Sequence, residues 1–272
     1  MKHLAGFYII GSSPWPMLVG ASSFTMLVGA VCYFHAYENG LLLLLYGSIC
    51  LILSCSFWFR DIIREATYLG YHTKVIQKTI YWGMVLFIIS EVMFFFSFFW
   101  TFFYNLLIPS VFIGQSWPPT GVSAIDYKGI PFYNTVILVS SGFTITWAHL
   151  ALKAKRPWAG FFGLLFTIIY GIFFLVLQIF EYYNSYLTIS DSVYGSIFYL
   201  LTGFHGFHVF CGAVFLIVCL IRYLRRHFSF FHHVGYICAI WYWHFVDVVW
   251  LFVFFLIYVP AGEFSSLFLV KF

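Results

Sequence analysis

Residues Tyr81–Leu107 read YWGMVLFIISEVMFFFSFFWTFFYNLL, an apolar and aromatic run with one charge, Glu91. As a helix rising about 1.5 Å per residue it reaches about 40 Å, more than the roughly 30 Å hydrocarbon layer, so it predicts a long, tilted transmembrane helix. Glu91 then lies about 15 Å from the Tyr81 end. A carboxylate at that depth costs about 2.5 to 3.5 kcal/mol on insertion scales, so it should face protein, water or a lipid headgroup. That makes Glu91 a candidate functional residue.

The rest of the chain has the same character. Of 272 residues, 63% are hydrophobic and only 8% charged, too few charges to keep a soluble domain in solution. The composition predicts an all-α polytopic membrane protein. Seven transmembrane helices are expected, at about 18–37, 41–59, 81–107, 131–152, 158–183, 192–223 and 235–259. The first two, within 1–60, form a hairpin around the turn Glu38-Asn39-Gly40. A basic-side loop is expected over 61–80, the other five helices over 81–259, and a tail over 260–272. Pro14 and Pro16 suit a helix start, Pro109 follows the third span, Pro131 opens the fourth and Pro260 stops the seventh. The sequence has no obvious internal repeat, removable signal or Arg-rich transit peptide.

Assigning alternate loops to opposite sides places Lys2, Arg60, Arg64, Lys74, Lys78, Lys153, Lys155, Arg156, Arg222, Arg225 and Arg226 on the side of the N-terminus. Lys128 and Lys271 fall on the other. This positive-inside bias directs the N-terminus to the cytoplasm or the matrix and the C-terminus to the opposite compartment. It also explains the net charge of +4 without a nucleic-acid partner. The six cysteines all sit in apolar runs with no C-x-x-C spacing, which predicts buried thiols rather than disulfides or metal ligands.

Several polar groups inside the spans are candidates for chemistry. His205 and His208 stand three apart and share a helix face, so they fit either a metal or haem site or polar helix packing, with Gly203 and Gly206 letting backbones approach. The paired histidines about 13 or 14 apart that are common in membrane haem sites are missing. His244 and Asp247 are also three apart and fit either a proton relay or a structural pair. Trp58, Arg60, Arg64, Glu65 and His72 sit where the second helix meets the basic face, and fit either a lipid phosphate pocket or ordinary anchoring. His232 and His233 read as solvent-loop residues.

A series of ordered motifs carries a family resemblance. Ser13-Pro14-Trp15-Pro16, Trp58 with Arg60-Asp61 and Arg64-Glu65, Ile89-Ser90-Glu91-Val92 and Trp117-Pro118-Pro119-Thr120-Gly121 come first. Thr146-Trp147-Ala148-His149, Glu181-Tyr182-Tyr183, Thr188-Ile189-Ser190-Asp191, Tyr194-Gly195-Ser196, Thr202-Gly203-Phe204-His205-Gly206 and the run Trp241 to Trp250 follow. Over residues 13 to 258 the chain resembles subunit III of the haem-copper cytochrome c oxidase. The resemblance implies a two-helix hairpin and a five-helix bundle with a lipid-holding cleft between them. It implies no metal or other cofactor on this chain, with haem and copper in the catalytic subunit I. Further implied partners are other oxidase subunits and membrane phospholipids, with cytochrome c as the substrate of the complex.

By the same resemblance Glu91 lies near the cleft, and Trp58, Arg64, Glu65 and His72 on its wall, with a lipid- or proton-related role. His149, His205 and His208 are helix-packing histidines. The implied activity is that of a non-catalytic subunit of a proton-pumping oxidase in the mitochondrial inner membrane. The chain departs from the usual pattern at Tyr71, Leu150, Tyr186 and Ile237 and in its tail. The alternative reading is a stand-alone proton- or ion-coupled transporter using Glu91 and Asp247, which would usually show inverted repeats or broken helices.

Overall fold

The computed structural model describes residues 12–119, 121–122 and 125–261. Lys2, Thr120, Lys271 and the tail 262–272 lie outside the described residues. Seven helices are long and apolar enough to cross a membrane, and no strand is present among the described residues. They are α1 (Trp15–Phe34), α2 (Gly40–Thr67), α3 (Lys74–Leu107), α4 (Ile130–Lys153), α5 (Pro157–Asn184), α6 (Ser192–Leu224) and α7 (Val234–Val253). A short 3-10 turn covers Val111–Ile113. The chain divides into two compact units, one ending at Ile80 and the other beginning at Tyr81.

Several boundaries differ from those read in the sequence. The segment 61–80, expected as a loop, is helical to Thr67 and again from Lys74. Arg60, Arg64 and Glu65 end an apolar stretch, but they are adequate helix formers, so the helix outlasts the hydrophobic run. Helix α1 ends at Phe34 rather than Tyr37, where Ala36 takes a φ of 54°. Pro260 does not stop the last helix, which remains helical through Ala261. A π turn at Phe254–Tyr258 precedes it. Such widening re-routes the backbone carbonyls that a proline ring would otherwise strike.

In the first unit α1 and α2 pack as a hairpin through small residues. A methyl on Gly47 would lie 2.5 Å from the Met26 nitrogen, and one on Gly29 2.4 Å from that of Leu44. With no hydrophobic drive between helices in lipid, such backbone proximity is what supplies the contact. Ser22 and Ser54 are buried and give their hydroxyls to carbonyls one turn back. Most large side chains face outward, as Phe24 and Leu42 do, which suits helices solvated by lipid or other protein.

The second unit is built around α7. Trp243 and Trp250 are fully buried, and each indole must find an acceptor because no water reaches it. Trp243 Nε1 donates to Ser141 Oγ at 2.8 Å and Trp250 Nε1 to Thr135 Oγ1 at 3.0 Å, tying α7 to α4. Gly171 on α5 and Gly212 on α6 leave room for the Trp243 ring, where a methyl would meet it at 2.5 and 3.0 Å. Helix α3 joins through aromatic contacts, with Phe94 5.0 Å from Phe204 of α6 and Phe95 6.3 Å from Phe245 of α7.

The six cysteines are free thiols, but only Cys219 and Cys238 are buried. Cys32, Cys50, Cys55 and Cys211 are half-buried, because an apolar run in a membrane helix faces outward as readily as inward.

Candidate functional site

Glu91 on α3 meets His208 on α6, with Oε2 2.8 Å from Nε2. His208 Nδ1 lies 2.7 Å from the Phe204 carbonyl oxygen, which only accepts, so Nδ1 carries a proton and donates. Nε2 and Oε2 then share one further proton, as imidazole with carboxylic acid or as imidazolium with carboxylate. Either way the pair is neutral as a unit, which is how a carboxylate is tolerated at this depth. The rings of Phe95 and Tyr242 flank the imidazole at 5.1 and 6.4 Å.

The structure separates the two histidines that sequence spacing put together. His205 is fully buried, and its Nε2 donates to the Val246 carbonyl of α7 at 3.2 Å. His208 turns to α3 instead. The glycines expected to bring backbones close here do not do so, since a methyl on Gly203 or Gly206 would meet nothing within 4 Å. They lie beside open space, whereas Gly163 of α5 meets the α4 backbone, where a methyl would sit 3.0 Å from the Ala148 Cα.

His149 is half-buried, with its ring 5.6 Å from His233 and 6.0 Å from Tyr236. His233, expected in solvent, is buried instead. Its Nδ1 donates to the Ser229 carbonyl at 3.0 Å, which folds the loop onto the start of α7. Burial pushes the imidazole below its ordinary range, and the charge of Lys153 adds to this against the opposing Ser229 carbonyl. His232 is lowered by burial and by Arg222.

His244 Nδ1 and Asp247 Oδ2 stand 3.8 Å apart, too far for a hydrogen bond. His244 is half-buried, and its Nε2 lies 3.4 Å from Thr146 Oγ1. The carboxylate leans on Gly142, where a methyl would sit 2.9 Å from Oδ2.

Trp58, Arg64 and Glu65 lie on α2 and His72 in the link to α3, all in the unit that ends at Ile80. Arg64 is exposed, while Trp58, Glu65 and His72 are half-buried. Arg60 is held by Asp61 at 2.9 Å. Asp61 also accepts from Trp15 Nε1 at 2.7 Å, fastening the start of α1 to α2.

Sequence reasoning missed one polar cluster. Glu181, near the end of the fifth expected span, is buried in the last turns of α5 and accepts from Tyr258 Oη at 2.7 Å. Gln178 Nε2 lies 3.4 Å from the same hydroxyl, and its Oε1 accepts from Asn134 Nδ2 at 3.3 Å. Gln178 and Glu181 stand three apart on one helix face, and that spacing was the available signal. Among the described residues no group of three or more His, Cys, Asp or Glu could hold a metal ion.

The sequence model of the cytochrome c oxidase subunit III family matches residues 5–261. The chain belongs to the cytochrome c oxidase subunit III family. It is 48% identical over 256 residues to cytochrome c oxidase subunit 3 of Prototheca wickerhamii, covering 94% of this chain and 98% of the relative. It is 49% identical to that of Drosophila yakuba and 48% identical to that of Arabidopsis thaliana, each over 94% of this chain and 97% of the relative. This member is therefore a subunit of cytochrome c oxidase, an oxidoreductase complex, and a multi-pass membrane protein.

Proposed function

We propose that this subunit is structural and lipid-binding. It stabilises the catalytic subunit of the proton-pumping terminal oxidase, supports proton uptake there, and carries no redox centre of its own. The family match over nearly the whole chain carries the reading. The polar groups support it, because Glu91, His205 and Glu181 are engaged in local hydrogen bonds rather than strung along a path. Haem and copper belong to subunit I. The chain sits in the mitochondrial inner membrane with its N-terminus in the matrix, as the bias in Lys and Arg supports.

Phospholipid is held by Trp58, Arg64, Glu65 and His72 of the first unit, and Glu91 has a lipid- or proton-related role of its own. The exposed Arg64 guanidinium offers a phosphate a charge, and an indole at the same end of α2 suits the interface. Phosphorus analysis of purified oxidase tests this. Arg64→Ala should lower the phospholipid retained per complex, and unchanged retention would contradict the lipid role.

A further inference from the structure

Beside Asn184, the last residue of α5, is a cavity of about 340 Å³ whose lining, among the described residues, has two carboxylates and no basic side chain. Asp126 and Glu181 contribute the carboxylates, and Asn184, Ser185 and Tyr186 complete its polar wall. Glu181 is only 4% exposed, and although Oε1 accepts from Tyr258, Oε2 has no hydrogen-bond partner among the described residues. A buried carboxylate oxygen without a donor among the described residues is costly, and a further donor at the cavity would relieve that cost.

We propose that this cavity is a binding site for a cationic nitrogen group, an ammonium or a guanidinium, that donates to Glu181. The acidic lining sets the sign of the charge. The size argues against a bare metal ion, since about 10 to 15 Å³ of such space suffices for a water and a hard divalent ion needs six or more close oxygens. An N–H donor supplies what Oε2 lacks, and a charge-assisted bond of this kind is about twice as strong as a neutral one. Tyr186, 94% exposed in the lining, offers a ring face to the same cation. The group comes either from a Lys or Arg side chain of another subunit or from a free amine.

The inference stands on this chain's own residues, and a high-resolution map of the intact complex with which the chain purifies tests it. A partner's Lys or Arg nitrogen within about 3 Å of Glu181 Oε2 identifies a subunit as the source. An isolated density that methylammonium in the buffer strengthens, and that Glu181→Gln abolishes, identifies a free amine. Glu181→Gln keeps the shape and an acceptor for Tyr258, so the bundle persists, and Asp126→Asn should weaken the same density severalfold. A cavity holding only water or an acyl chain, unchanged in Glu181→Gln, would overturn the proposal. So would a density that ignores methylammonium and survives both substitutions.

Discussion

His208 Nε2 lies 2.8 Å from Glu91 Oε2, so the one acidic side chain of α3 is answered from α6. The proton they share makes the pair a neutral unit and a link between two helices.

Glu91→Gln preserves that link, because an amide N–H can donate to Nε2. Assembly should stay intact, while phospholipid retention and the number of turnovers before inactivation fall. Glu91→Ala leaves His208 Nε2 without a partner and should destabilise by about 1 to 3 kcal/mol. A double-mutant cycle with His208→Ala should give a coupling of about 0.6 to 1.7 kcal/mol, read as the shift in the detergent concentration that strips the chain from the complex. A coupling near zero would mean that the pair contributes nothing to holding α3.

Trp243 fills a space that Gly171 leaves open. Gly171→Ala should destabilise by about 1 to 3 kcal/mol, because its methyl would sit 2.5 Å from the ring. Trp243→Phe, which leaves Ser141 without its donor, should cost about 0.5 to 1.5 kcal/mol. Thermal unfolding followed by circular dichroism in detergent measures both.

The hairpin of α1 and α2 depends on its glycines unevenly. Gly47→Ala must push the Met26 backbone away and should lower the melting temperature. Gly20→Ala, with nothing within 4 Å of the added methyl, should be neutral or stabilising by up to about 1 kcal/mol. Equal effects of the two would contradict the close packing at Gly47.

Acid should loosen the loop before α7. His232 and His233 are both lowered, so below about pH 6.5 the unfolded chain takes up protons that the folded chain refuses. Stability contributed there is complete above that pH and falls as pH drops through it, by at most about 1.4 kcal/mol per pH unit for each group. The protection of the Ser229–Tyr236 amides, taken relative to their intrinsic exchange rate at each pH, should fall between about pH 7 and 5.5. In His233→Gln that dependence should weaken.

The seven helices were legible because each is an apolar run bounded by charges or prolines, and the family because its motifs are ordered along the chain. Helix ends were less legible, since Arg60 to Thr67 end a hydrophobic run without ending a helix. Partners were not legible at all where they come from another helix. Nothing near Glu91 in sequence announces His208, and nothing in His232-His233 tells which ring is buried. The Glu181 cluster was hidden for the same reason, its hydroxyl partner being Tyr258, far along the chain.

The role assigned to the chain is tested most directly by isolating it, affinity-tagged, in mild detergent and recording the optical spectrum before and after it is stripped from its partners. The prediction is a haem-bearing partner in the isolated complex and no haem absorption on the stripped chain. A chain that purifies alone with transport activity, or that keeps a haem spectrum of its own, would contradict it.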